Sequence, residues 1–574
     1  MKSKIFILVV IGLLVLLMMA ACDNDVPEDT TADVADAPPT QVVTDDDSVT
    51  ANGLTVNPVG TFPIVNERVT LSAYFSTWED LDVDNNEVLE WFEEKTNVRI
   101  DAIMETDPEM RILMLVSGDY PDIFAVNFSM LDVENFGTRQ QIFIPLNDLI
   151  EEYSEIVRER INNDPRYRIS ATASDGNIYG LPRFTEEVFS HPMAPGKFWI
   201  NSHWLDTLGL DMPTTTDEFR DVMLAFRYDD PNDTGIQDVV PMSGAINTAR
   251  GELENFIMNA FIYTDRNHFL YNNNGTIEFV ATAPEFRQGL EFMHDLFQAG
   301  LIDPAAFTQD LSQLTRLGTD EVGILGGFSG LHVAMGIDIS DRDRHSQFIW
   351  LPPLRGPGGV QYAIYGGTDG FSNNINVAIT DRVEQPEIAM RVVDFMFSDI
   401  VQMRTLGLEG IAWDWVDDES LFDMYGNPAR VILHDVYVAD ALRADRVVDR
   451  FPPLALSATL WGRQVADIYG DIFIPENYEI YLARATLDYA PFFPEHNILP
   501  LNFPQDISDE LATLTVNIVT HVQQAMTRFI VGDMDLATEW DSFVAGLENL
   551  NVARYIEIHQ EGHDRLQEML AALD

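Results

Sequence analysis

Between Val69 and Val126 the sequence alternates between strand-like and helix-like patterning, and this alternation restricts the fold more than any other stretch. Val69 to Phe75 reads as a strand. Asn86 is placed to cap a helix from Glu87, with apolar Val88, Leu89, Trp91 and Phe92, that runs out at Lys95-Thr96-Asn97. Val98 to Met104 reads as a second strand, Glu109 to Val116 as a helix stopped by Ser117-Gly118-Asp119, and Pro121 to Val126 as a third strand ending at Asn127. Strand, helix, strand, helix, strand is the signature of a parallel α/β architecture. Ligands of such sheets bind at the carboxyl ends of the strands, which singles out Trp78 and Asn127.

This fold must hold together without disulfides, because Cys22 is the only cysteine in 574 residues. Cys22 follows Lys2, Lys4, an apolar run from Ile5 to Ala21 and the small pair Ala20-Ala21, the layout of a secretory signal. Met19-Ala20-Ala21-Cys22 resembles the lipobox of bacterial lipoproteins, which implies cleavage and lipidation at Cys22. The alternative is an uncleaved anchor, since about 17 to 25 apolar residues span a bilayer. Either way the rest lies outside. With 46% apolar residues the remainder has enough core for two or more lobes, because single cores stop growing near roughly 250 to 300 residues.

Against 34 basic residues stand 93 acidic ones, a net charge of −59. Nucleic acid is thereby excluded as a partner, since phosphate binding needs clustered Lys and Arg. The acidity fits either a salty or alkaline exterior or simply a soluble acidic surface. Residues 23 to about 60 carry Pro38-Pro39 and Asp45-Asp46-Asp47, and read as a self-repelling tether that cannot bury enough surface to fold.

Leu113-Met114-Leu115-Val116-Ser117-Gly118-Asp119-Tyr120-Pro121-Asp122-Ile123, Ile144 to Ile150, Asp175-Gly176-Asn177-Ile178-Tyr179-Gly180-Leu181-Pro182 and Phe198 to Leu210 followed by Pro213-Thr214-Thr215 occur in this order. Later come Leu406-Gly407-Leu408-Glu409-Gly410, Arg528-Phe529-Ile530-Val531-Gly532 and His559-Gln560-Glu561-Gly562-His563-Asp564-Arg565. Together they resemble the family 1 extracellular solute-binding proteins of ABC importers, in the LplA-like lipoprotein branch.

The resemblance implies a two-lobed α/β periplasmic-binding-protein-like fold of the class II type. A lipid-anchored clamp on the extracytoplasmic face of a bacterial membrane would capture an oligosaccharide and deliver it to an ABC permease, without catalysis. The expected layout is residues 1–21 signal, 22–65 lipidated cysteine and tether, 66–190 plus 345–400 lobe A, and 191–344 plus 401–574 lobe B. Crossings are expected between Leu181 and Trp199, near Gly326 to Gly330 and after Asn376 to Ile379.

Sugar rings stack on aromatic faces while hydroxyls need a few fixed polar partners. Trp78, Trp413, Trp415 and Trp461 are therefore candidates, weighed against the core role that large aromatics usually fill. Trp91, Trp204 and Trp540 sit in helical patterns and are assigned to the core. Arg183 offers a partner for a hydroxyl or a uronate, or else an interlobe salt bridge; Arg463, Asn127 and Asp369 are further polar candidates. The negative field argues against anionic ligands unless Arg183 or Arg463 lies in the cleft.

Asp230, Asn232, Thr234 and Asp238 place oxygen donors at positions one, three, five and nine of an EF-hand-like loop, with Gly235 at six. Pro241 stands where the bidentate Glu belongs and Val239 where some relatives carry an acid. A structural calcium and a metal-free turn both fit, and no other cofactor is implied. There is no H-E-x-x-H, G-x-S-x-G, Walker or G-x-G-x-x-G motif. The readings kept in reserve are a surface-tethered polysaccharide-degrading enzyme and a permease-independent glycan sensor or adhesin.

Overall fold

The computed structural model describes residues 49–571 apart from 52–53, 77–80, 82, 106–108, 185–193, 247, 249, 266, 368–370, 373, 435–450, 452–453, 458, 461, 467–470, 474–476, 500–502 and 504. The chain divides between Asp47 and Ser48, and Cys22 and the leader lie outside the described residues. No helix among those described is long and apolar enough to cross a membrane.

Two separate hydrophobic cores define two bodies. In the first, β1 (Val69–Ser76), α1 (Glu87–Thr96), β2 (Val98–Glu105), α2 (Met110–Ser117) and β3 (Ile123–Ala125) follow the order the patterning predicts. β1 is parallel to both β2 and β3, while Ala378–Ile379 joins antiparallel at β3. Asn86 Oδ1 accepts from Val88 N and Leu89 N at 3.1 and 3.2 Å, the cap that starts α1. α1 ends where Asn97 takes the left-handed conformation at φ 61°, which Asn tolerates. Val88 and Phe92 then pack with Phe75, Ile379 and Val393.

The second body centres on β4 (Lys197–Asn201), buried at every residue. It lies between β5 (Gly327–Gly330) and β6 (Phe348–Leu351), antiparallel to both. Phe198 packs against Phe219 and Phe256 at ring separations of 5.4 and 5.2 Å. α3 (Gln505–Val531), α4 (Leu536–Asn549) and α5 (Val552–Ala571) bring Ile518, Phe529, Phe543 and Tyr555 to the same core.

This arrangement corrects the expected crossings. Gly326 to Gly330 is no return to the first body: β5 is hydrogen-bonded to β4, and a Cβ on Gly327 would sit 2.5 Å from the Phe198 ring. The glycines permit close packing rather than a turn. Because β6 also pairs with β4, residues 345–363 pack with the second body, not with lobe A. After Ala378–Ile379 the chain stays in the first body, whose core takes in Ile388, Val392 and Val393 of the helix Pro386–Met396. Val401, Phe451, Leu454 and Leu456, placed in lobe B from the sequence, join the first core as well. The chain therefore changes core between Phe184 and Ala194, between Ala363 and Ile375, and between Leu460 and Ile472.

Candidate functional site: the floor between the two bodies

The three crossings leave the first body bonded to one another. Leu181 pairs antiparallel with Val377, and Phe184 pairs parallel with Ser457. Leu181 N donates to Val377 O at 2.9 Å, Asn376 N to Leu181 O at 2.8 Å and Phe184 N to Leu456 O at 2.9 Å. Leu181-Pro182-Arg183-Phe184 is thus the middle segment of a small ladder from which every crossing departs. Phe184 anchors it, packed at 4.3 Å from Phe397 and 4.8 Å from Tyr167, whose hydroxyl donates to Pro182 O at 2.6 Å.

Alternation along an extended segment turns Arg183 away from the core, and it is exposed. Its guanidinium has no hydrogen-bond or carboxylate partner among the described residues. Burial by surrounding protein lowers its pKa from the ordinary guanidinium value. Asn376 ties this floor together: its Oδ1 accepts from Arg183 N at 2.8 Å, and its Nδ2 donates to Asn127 Oδ1. Asn376 thereby links the Arg183 backbone to the Asn127 side chain, two positions singled out from the sequence. Asn376 was not singled out, and no motif marks it.

The second body faces the crossings with a different set. Gly330 lies opposite Lys197, the hinge end of β4. Next to it Ser329 Oγ donates to Arg250 O at 3.1 Å, and Arg250 Nη1 donates to Asp265 O at 2.5 Å. His268 Nδ1 lies 2.7 Å from Asp265 Oδ2. Burial pushes the Asp265 carboxyl up, but the His268 contact and the backbone N–H of His268 hold it below its usual value; burial pulls His268 down, and the carboxylate leaves it raised. The Tyr263 ring lies 5.8 Å from both Tyr271, tilted, and Tyr362, edge-on. Tyr365, on the second crossing, lies 5.1 Å from Phe493. Tyr271, Tyr362 and Tyr365 are partly exposed. Sequence reasoning passed over these tyrosines because only the fold brings them together.

The remaining candidates fall elsewhere. Trp413 is fully buried at 0% exposure in a satellite core with Met403, Leu406, Val431 and Leu460, and its indole N–H donates to Gly407 O at 3.1 Å. A stacking platform needs an open face, so Trp413 is a core residue. Trp415 packs on it at 5.3 Å and is partly exposed, in the satellite rather than beside Arg183. Arg463 Nε lies 2.9 Å from Asp423 Oδ2, whose side chain is completely buried, so its charge is spent inside the satellite. Trp78, Asp369 and Trp461 lie outside the described residues.

In the 230–238 loop Thr234 Oγ1 lies 3.3 Å from Asp230 Oδ1, 3.4 Å from Asn232 Oδ1, 3.2 Å from Ile236 O and 3.2 Å from Asp238 Oδ1. Asp230 and Asp233 at φ 50° and 53° and Gly235 at 73° curl the backbone around them. Oxygens sharing one calcium at ~2.3–2.6 Å stand about 3 Å apart, so this cluster has a fitting size. Only two of its side chains are carboxylates. Among the described residues no group of three His, Cys, Asp or Glu side chains is placed to hold a metal.

No family model matches the chain. The fructooligosaccharide ABC transporter substrate-binding protein FusA of Streptococcus pneumoniae is 27% identical over 530 residues, 88% of this chain and 92% of that protein. The polygalacturonan/rhamnogalacturonan-binding protein YtcQ of Bacillus subtilis is 22% identical over 344 residues, 57% of this chain and 64% of that protein. The solved structure of FusA with kestose superposes with a TM-score of 0.67 at 24% identity, covering 87% of this chain and 99% of that one. A human-milk-oligosaccharide-binding solute-binding protein of Bifidobacterium longum infantis gives 0.69 at 18% identity, over 87% and 99%. The relatives of this chain are ABC-transporter substrate-binding proteins, and its fold is theirs. The two bodies of this chain share the fold of those proteins, and the ladder around Arg183 lies where the chain passes between them.

Proposed function

We propose that this chain is a lipid-anchored, extracytoplasmic solute-binding protein that captures an oligosaccharide between its lobes and delivers it to an ABC permease. The observation that carries the reading is the ladder at Leu181 to Phe184, from which three crossings join two separate cores, with Arg183 exposed on it and without a side-chain partner among the described residues. Ligand contacts to both lobes would favour a closed arrangement over an open one by their differential affinity for the two. Tyr271, Tyr362 and Tyr365 would supply ring faces from the second lobe, and Arg183 and Asn127 the polar contacts from the first. FusA and YtcQ are named for fructooligosaccharide and for polygalacturonan and rhamnogalacturonan respectively, which supports a saccharide ligand and leaves its charge open. The relatives are substrate-binding proteins, not enzymes.

Lipid on Cys22 and the acidic tether after it would hold the lobes at the membrane. The 230–238 loop would take a structural calcium; that FusA has been solved as an EF-hand mutant supports this reading. Calorimetry of the mature chain against an oligosaccharide panel tests the central reading. A bound sugar at 100 times its Kd adds about 2.7 kcal/mol of apparent stability and should be recovered uncleaved; silence across the panel would end the saccharide reading, and cleavage would replace it with the enzyme. Calcium should raise the melting temperature, and Asp230→Asn should remove that rise; an equal rise in the variant places the ion elsewhere.

A further inference from the structure

The second helix of the first lobe, α2, is apolar toward solvent. Its neighbour α1 turns Glu87, Glu90 and Glu94 outward and buries Val88, Leu89 and Phe92, the ordinary pattern of a surface helix. α2 reads Met110-Arg111-Ile112-Leu113-Met114-Leu115-Val116-Ser117, without an acidic residue, and only Leu115 is fully buried. Ile112 and Met114 pack partly against the cluster that holds Tyr74 and Phe124, and the Arg111 guanidinium lies 5.6 Å from the centre of the Phe128 ring. Leu113 and Val116 are left 60% and 73% exposed, and Met110, a turn before Leu113, is partly exposed. Residues three apart are neighbours on a helix, so these side chains make one outward stripe. Ile103 of the edge strand β2 stands in register with Tyr74, on the sheet face that α2 covers, and is 37% exposed.

Single exposed apolar residues need no partner, but several on one helix and its adjoining strand mark an interaction surface. A membrane does not fit it: anionic headgroups repel a chain of net −59, and an interfacial helix carries a row of basic residues where α2 has Arg111 alone. A second copy brings the same −59 against itself. A stable pair also needs about 1,200 to 2,000 Å² of buried surface, far more than these four side chains offer. A small contact suits a partner that is engaged and released, as delivery to an importer requires. The position agrees. α2 follows β2 from the carboxyl end of the parallel strands, the end at which β3 leads to Asn127 and, through Asn376, to the crossings.

We propose that the stripe of Met110, Leu113 and Val116, with Ile103 beside it, is the first lobe's seat for the extracytoplasmic face of the ABC permease. This rests on the importer reading above and names the surface it uses. Exposed Asp101, Glu109 and Asp119 flank the stripe, so the partner's side of the contact would be an apolar recess with a basic or uncharged rim.

The test replaces the chain in cells of its own strain with full-length lipidated variants and follows uptake of a labelled oligosaccharide that calorimetry shows to bind. Leu113→Glu combined with Val116→Glu should lower uptake by about tenfold or more, since a charge carried into a dry contact goes unpaired. Melting temperature and calorimetric affinity should stay those of the parent, because both side chains are exposed. Leu113→Met combined with Val116→Ile should keep uptake. Val516→Glu, at an exposed site on α3 of the second lobe, should keep it too. A photo-crosslinker at position 113 should give an adduct that mass spectrometry identifies as a permease subunit. Normal uptake by the doubly charged variant overturns the assignment. So does an equal loss in Val516→Glu, a fall in sugar affinity that matches the fall in uptake, or an adduct with lipid or a second copy of this chain alone. Undiminished uptake by cells lacking the chain, or no bound sugar at all, defeats the importer reading and this inference with it.

Discussion

The two lobes bury ionisable groups in opposite ways. The first keeps charge: Asp394 accepts from Glu155 N at 3.0 Å and Val157 N at 2.9 Å, and Arg391 donates to Asn57 O at 2.7 Å and Thr61 O at 2.9 Å. The second keeps bases that burial discharges, with His345 and His559 both pulled down to about 4. Charged side chains thus close loops in the first lobe, while in the second His345 and His559 sit where burial keeps them neutral and only His268, beside Asp265, is raised. The lobes should therefore respond separately to mutation and to acid.

The largest effect should come from emptying either core. Phe92→Ala in the first and Phe198→Ala in the second should each cost about 3 to 5 kcal/mol. Scanning calorimetry should show each variant lowering a different part of the transition; a single peak moving equally in both would mean the lobes melt as one unit. Next comes Arg463→Met, which strands the buried Asp423 carboxylate and should cost about 3 kcal/mol or more, measured by urea unfolding, while oligosaccharide affinity stays unchanged. Loss of affinity without loss of stability would return Arg463 to the ligand site.

Acid sharpens the contrast. His559 has a folded pKa of about 4 against an ordinary 6.5, so the unfolded chain binds more protons between those values. The stability its neutral form preserves is complete above about pH 6.5 and is lost as pH falls toward 4, by about 2 kcal/mol for one such group between pH 7 and 5. Burial raises Asp394 despite its backbone donors, so the folded first lobe holds that proton more readily and acidification does not weaken it through this group. Neither ring nitrogen of His559 has a hydrogen-bond partner among the described residues, so His559→Phe should flatten the acid slope without cost at pH 7. An unchanged slope would assign the acid sensitivity to other groups. The smallest effect is local: Asn86→Ala should cost about 1 kcal/mol through loss of the α1 cap, seen in the first-lobe transition alone.

The same contrast explains what could be read from sequence. β1, α1, β2, α2 and β3 are neighbours in the chain and in space, so periodicity and the Asn86 cap located them within a residue or two. The second sheet is gathered from Lys197, Gly327 and Phe348, and nothing local distinguishes β5 from a glycine turn. The third crossing stayed hidden because it depends on Ser457 pairing with Phe184, 273 positions away in a different segment. Trp413 was misjudged for a related reason: flanking Gly407 and Gly410 signal a loop, but the turn folds its indole inward onto Gly407 O. At the floor, Arg183 and Asn127 were legible as residue types at strand ends. Their connection was not, since it is made by Asn376 from a distant crossing.

The central claim is that two lobes joined by the Arg183 ladder close on an oligosaccharide. Small-angle X-ray scattering of the mature chain, with and without a saturating oligosaccharide found by calorimetry, tests it most directly. The account predicts a smaller radius of gyration in the bound state and no such change for Arg183→Gln under the same conditions. An identical radius at saturation would contradict closure and leave a binding surface without a clamp.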